Sequence, residues 1–259
     1  MLNILKEMLR QTRRDKLLLI GLFYFLLMAG EMLVQNGADW DTHGSTLSGI
    51  LANTLLIMTT VAAGAFTGRI CGSDLRDKTA NYEILFGKHR SEVYFGRFFA
   101  ALTVSVAVIA AVVLIPVLFL TAKNGWGAAI PVQTAWAIFG LLIVMIFRCV
   151  CFFTALTFLC GNDIVPLTVA LIGTMCVALC VLLLGAADIH LSWQTTFSDI
   201  MTLLDFSNTT SGYADGKDYL IYKVALSGKT ALRMLCTSLG FGLFWLFGGF
   251  ALFRRKDIP

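Results

Sequence analysis

The chain has 259 residues, 58% of them hydrophobic and only 14% charged, against about 25% charged in an ordinary soluble domain. A soluble core of this size cannot take in so many apolar side chains. The composition therefore excludes a soluble enzyme, a nucleic-acid-binding domain and a disulfide-stapled secreted module. It equally excludes a β-barrel built from strands of about 10 residues with alternating polarity.

Residues 2–15 come first. Leu2, Leu5, Met8 and Leu9 recur at helical spacing, with Lys6, Arg10, Arg13 and Arg14 on the other face. This is the pattern of a short amphipathic helix lying in a membrane interface; the alternative is a basic flank that only sets orientation. Six apolar stretches follow, at 17–34, 47–68, 98–120, 135–160, 164–187 and 232–253. Each is near the roughly 20 residues that cross a hydrocarbon core of about 30 Å. The expected fold is thus an all-α integral membrane protein with six spans and one transmembrane domain over residues 1–259.

Charge sets the orientation. Lys6, Arg10, Arg13, Arg14 and Lys16 precede the first span. Arg69, Arg76, Lys78, Lys88, Arg90 and Arg97 lie between the second and third, and Arg254, Arg255 and Lys256 follow the last. With six spans all of these share one side. The other side holds only Lys123, Lys217, Lys223, Lys229 and Arg233. The positive-inside rule then puts both termini in the cytoplasm. Trp40, Trp126, Trp136 and Trp193 fall at the outer boundary, where an aromatic belt belongs. No cysteine lies in an outer loop, and Cys176 and Cys180, on one helical face, read as small apolar packing.

The loops differ in character. The outer loops at 35–46 and 121–134 are short, and Gly161-Asn162-Asp163 is a tight inner hairpin. The inner segment 69–97 is longer. Asp77 can cap a helix and Gly87 can end it in the left-handed conformation. The apolar side chains between them, Tyr82, Ile84, Leu85 and Phe86, either dip into the headgroup region or dock into a soluble partner. In the external segment 188–231, Trp193, Phe197, Ile200, Met201 and Leu204 make one helical face. With the following run from Tyr219 to Leu226 they predict two short helices on the outer leaflet.

Catalytic chemistry is missing. Gly228-Lys229-Thr230 resembles the end of a phosphate-binding loop, but Lys223 stands where that loop needs its first glycine. No zinc helix is present, and His43, His89 and His190 are far apart. The spans contain one acid, Glu31, whereas an ion-coupled carrier uses buried acids as relays.

The whole arrangement resembles the type 2 permease family of ATP-binding-cassette transporters: an amphipathic elbow before the first span, six spans, both termini inside, a helix-bearing inner loop at 69–97, the tight turn at Gly161-Asn162-Asp163 and a long external segment before the last span. The Gly-Thr and Pro frequent in the family's inner loop are absent here. The resemblance implies a permease in a bacterial cytoplasmic membrane that works as a pair, with itself or a close paralogue, and contains no catalytic residue, metal or cofactor of its own. A separate cytoplasmic ATPase would bind ATP and magnesium and dock on Asp77, Tyr82, Glu83, Leu85, Phe86 and Arg90. The implied cargo is an amphipathic peptide or another amphipathic or lipid-like molecule moved outward. The competing class is a membrane scaffold, or an assembly or immunity protein, that transports nothing.

Two features inside the spans need an account. Ser238 and Gly242, with Gly240, Gly248 and Gly249, permit close helix approach, and are expected to pack within the chain. Arg148 lies near mid-membrane, at roughly 18 Å from either face at about 1.5 Å per residue. A guanidinium facing lipid there costs at least about 2.5–3.5 kcal/mol. It must face protein or water, either bonded to backbone carbonyls or to hydroxyls such as Thr54, Thr59 or Thr103, or lining a translocation pathway.

Overall fold

The computed structural model describes residues 6–8, 10, 12, 14–35, 43–76, 79–127, 130–186, 209–214, 217–222 and 228–255. Residues 6–8, 10, 12 and 14 are helical. Seven helices and one β-ribbon follow among the described residues. They are α1 (Lys16–Gln35), α2 (Gly44–Arg76), α3 (Thr79–Leu85), α4 (Arg90–Asn124), α5 (Val132–Cys160), α6 (Ile164–Ala186), β1 (Thr209–Ala214), β2 (Lys217–Tyr222) and α7 (Gly228–Arg255).

Among the described residues three helices are long and apolar enough to cross a membrane: Arg90–Asn124, Val132–Cys160 and Ala231–Arg255. Such a sequence folds as helix because the bilayer offers no water, so each N–H and C=O must bond within its own segment. α2 and α4 run 33 and 35 residues, well beyond the apolar stretches inside them. Their extra turns carry Arg69, Arg76, Arg90, Glu92 and Arg97 at one end of the molecule. Leu19, Ile20, Phe23, Tyr24, Leu26 and Leu27 on α1 are exposed, an apolar face that water would penalise and lipid would not.

α2 packs on α4, α5 and α6, and α5 packs on α7. Glycine allows the closest of these approaches. A β-carbon on Gly64 would lie 2.7 Å from Ala170 Cβ, one on Gly68 2.5 Å from the Asp163 carbonyl oxygen, and one on Gly72 2.5 Å from Asp163 Cα. The stripe Gly64, Gly68, Gly72, spaced by four, is the groove in which the turn before α6 and the first turns of α6 lie. On α7, Gly242 meets Phe147 and Gly249 meets Ala155 and Tyr94. The expectation of packing within the chain thus holds for Gly242 and Gly249, while Gly240 and Gly248 meet open space.

The turn at 161–163 is as tight as its sequence suggests. Gly161 ends α5 at φ 69° with its N–H on the Thr157 carbonyl at 2.7 Å. The Asn162 side chain accepts the Ile164 N–H at 3.0 Å.

The external segment needs a correction. Where a second short helix was expected from Tyr219 onward, residues 209–214 and 217–222 form an antiparallel ribbon, with Thr209 opposite Tyr222 and Ala214 opposite Lys217. Tyr219-Leu220-Ile221-Tyr222 is rich in aromatic and β-branched side chains. The two residues between the strands are Asp215-Gly216, a strong two-residue hairpin signal that outweighs a helical reading. The expected helix over Trp193–Leu204 lies outside the described residues.

Candidate partner-docking site

The charged end of the molecule is held by ion pairs. Asp15 accepts from Arg69 Nε at 2.6 Å, and Arg69 Nη1 reaches Asp163 at 3.2 Å. Arg76 Nη1 donates to both Asp163 oxygens, at 3.1 and 2.9 Å. The hydrogen bond to Asp15, opposed by partial burial, raises the Arg69 pKa above its ordinary value. The residues just before α1, the end of α2 and the α5–α6 turn are therefore joined through two arginines. Beside them Met8, Thr12, Asp15 and Leu18 face Arg69, Ile70 and Ser73 across a shallow cleft.

α3 sits between the ends of α2 and α4. It spans seven residues, far below the roughly 12 needed for a helix to be marginally stable alone. Its end is well defined: Gly87 takes φ 92°, the Lys88 N–H reaches the Glu83 carbonyl at 3.1 Å and the Gly87 N–H the Ile84 carbonyl at 3.0 Å. This is a Schellman ending, available because glycine tolerates positive φ. Tyr82, Leu85 and Phe86 are spaced i, i+3, i+4 and share one face. They are 57%, 78% and 87% exposed. Burial of such a side chain is worth about 1.5–3 kcal/mol, so this face gains substantially from any apolar cover.

The other expected docking residues divide differently. Glu83 turns inward, 3.3 Å from Arg97 Nη1 and 3.4 Å from Lys88 Nζ. Arg97 has no exposed surface. Arg90 donates to the carbonyls of Phe253 at 3.3 Å and Arg254 at 2.9 Å. It therefore satisfies the last turn of α7, as a cation at a helix C-terminus does. Asp77 lies outside the described residues. The structure thus brings Tyr82, Leu85 and Phe86 together on a free face and gives Glu83 and Arg90 internal partners.

Arg148 is 1% exposed and donates from Nη1 to Ser238 Oγ at 3.2 Å. It faces protein, as insertion energetics require. The hydroxyl it meets comes from α7 and is none of the three named from sequence; Thr103 bonds the Phe99 carbonyl in its own helix. Gly242, one turn from Ser238, leaves room for this contact, since a β-carbon there would lie 2.8 Å from Phe147 Cε1. Glu31 is exposed on α1.

Three features went unread in the sequence. The Gly64-Gly68-Gly72 spacing was a visible small-residue signal. The depth of Arg97 had a weaker one, a cation one residue before an apolar stretch. The Asp15–Arg69–Asp163–Arg76 cluster had none, because its members are far apart in the chain. Among the described residues no group of three His, Cys, Asp or Glu side chains could hold a metal. No family model, curated protein or solved structure matches the chain.

Proposed function

We propose that the chain is the permease subunit of an ATP-driven exporter, docked to a separate cytoplasmic ATPase through the Tyr82–Leu85–Phe86 face of α3. The observation that carries this reading is that face itself. A helix too short to stand alone is fastened between two long helices and holds three large apolar side chains outward. In this reading α1, α2 and α6 cross the membrane with α4, α5 and α7, the termini and α3 are cytoplasmic, and residues 2–15 lie in the inner interface. The positive-inside charge distribution supports that orientation.

ATP and magnesium belong to the partner, whose closure would push on α3 and tilt the spans of two paired permeases. The cargo class is amphipathic or lipid-like, because the spans are apolar and poor in charge. The burial of Arg148 against Ser238 favours a clamp between α5 and α7 over a residue that touches cargo.

The test is purification of the tagged chain from its native membrane. A captured protein with a nucleotide-binding cassette, whose ATP hydrolysis rises in the complex, supports the reading. Replacing both Tyr82 and Phe86 with glutamate should abolish that capture and leave membrane insertion unchanged. Undiminished capture by the double variant would reject the docking face. If the wild-type chain captures no such ATPase, the scaffold reading takes its place.

A further inference from the structure

Arg97 differs from Arg148 in what holds it. It stands on α4 with no exposed surface, yet its carboxylate comes from the short helix α3, through Glu83 at 3.3 Å. The same carboxylate holds Lys88 at 3.4 Å, just beyond the Gly87 turn. Lys88 in turn lies 4.0 Å from Glu7. A guanidinium inside protein cannot exchange its carboxylate for water at little cost, as an exposed one can. Arg97 Nη1 and Glu83 Oε2 are buried and meet as an ion contact rather than a hydrogen bond, so the pair is held by charge and by its exclusion from water. α3 cannot keep its shape by propensity alone, and its apolar face points away from the bundle. Its seat on the protein lies on the side of Glu83 and of Ile84, which packs against the core.

We infer that Glu83 and Arg97 are the positioning pair that fixes α3 to α4, so that a force on the Tyr82–Phe86 face is delivered to the span at 98–120 chiefly through this ion pair. The source of the force rests on the docking reading above; the attachment of α3 does not. Arg97 continues directly into the apolar part of α4, so a displacement of its guanidinium moves the span itself. Lys88 holds the carboxylate from the loop side at 3.4 Å, which keeps Glu83 oriented while the helix is loaded.

Hydrogen–deuterium exchange over residues 79–88, with the chain alone in lipid nanodiscs, reads the attachment. Glu83→Gln should speed exchange there at least tenfold. Because that variant leaves a buried cation and can fail to fold, a second one carries both Glu83→Leu and Arg97→Met. Apolar replacement of both members of a buried pair is commonly tolerated, so this variant should give wild-type yield with the same fast exchange. Exchange within twofold of wild type in the double variant would overturn the positioning role. Transmission is read in the complex with the captured ATPase. ATP with magnesium should alter exchange over residues 94–105 in the wild type and leave it unaltered in the double variant. An equal response in both would overturn transmission through the pair. Absence of a captured ATPase would reject the docking reading and leave the 79–88 measurement to decide the pair.

Discussion

The two ends of the bundle are built from different chemistry. At one end Asp15, Arg69, Asp163 and Arg76 share ion pairs, Glu83 holds Arg97, and Arg90 closes α7. At the other end, around the start of α2, the described hydrogen bonds are neutral and mostly backbone. The Gly44 and Ser45 N–H groups bond the carbonyls of Gly125 and Trp126 at 3.2 and 2.7 Å. His43 Nδ1 lies 2.8 Å from the Asn124 carbonyl, and the Trp126 indole donates to the Ile130 carbonyl at 2.6 Å. The charged end gathers its helix ends through side chains, whereas the neutral contacts tie the start of α2 to the end of α4, 81 positions away, largely through backbone. A partner that works on this protein would find its leverage at the charged end, where several helices share few anchors.

That contrast can be broken most forcefully at Gly72. A β-carbon there would lie 2.5 Å from Asp163 Cα and 2.8 Å from the Asp163 nitrogen, atoms that cannot swing aside as a side-chain tip can. Gly72→Val should cost about 3 kcal/mol or more through overpacking, read as loss of folded yield and of thermal stability in detergent. Gly240→Ala is the control, since nothing lies within 4 Å of its added carbon. It should match wild type or exceed it by up to about 1 kcal/mol from helix propensity. Equal behaviour of the two variants would remove the close contact of α2 with the α5–α6 turn from the account.

Asp163→Asn should have the next largest effect. Its side chain is 7% exposed and serves both Arg69 and Arg76. Loss of the charge should cost about 1.5–3 kcal/mol, the range for hydrogen bonds to charged groups. Salt should soften the effect at Arg76, which is half exposed. A melting temperature unchanged from wild type would mean that the cluster orients the chain without stabilising it. The smallest effect belongs to the neutral end: His43→Ala should cost about 0.5–1.5 kcal/mol with no dependence on salt. A salt-dependent loss there would erase the distinction between the ends.

Hydropathy made the long helices legible, since each described helix of 20 residues or more overlaps one apolar stretch. Punctuation was legible too, at Gly87 and Gly161, because a helix end needs a residue that tolerates positive φ. The apolar run from Tyr219 suits a helix or a strand, and the Asp215-Gly216 pair beside it decides for the strand. The resemblance implies Glu83 and Arg90 on the docking face, whereas both find partners within the chain. Which charges find each other depends on tertiary placement: Arg90 meets a carbonyl at Arg254, 164 positions away. Arg148 was readable as facing protein from transfer energetics, but the identity of its hydroxyl partner required the packing of α5 on α7.

The arginine at position 69 also imposes an order of events during synthesis. Asp15 and Arg69 are both made before the α5–α6 turn, and Asp163 is 94 positions further along. A nascent chain can therefore join Asp15 to Arg69 early, which spares the insertion machinery a lone cation at the end of α2. The clasp is completed only when Gly161–Asp163 has emerged and settled into the groove of Gly64, Gly68 and Gly72. Until then Arg76 lacks Asp163, and the glycine stripe lies open. The last inner turn to be made thus closes a seam that the second span has held open since its own synthesis.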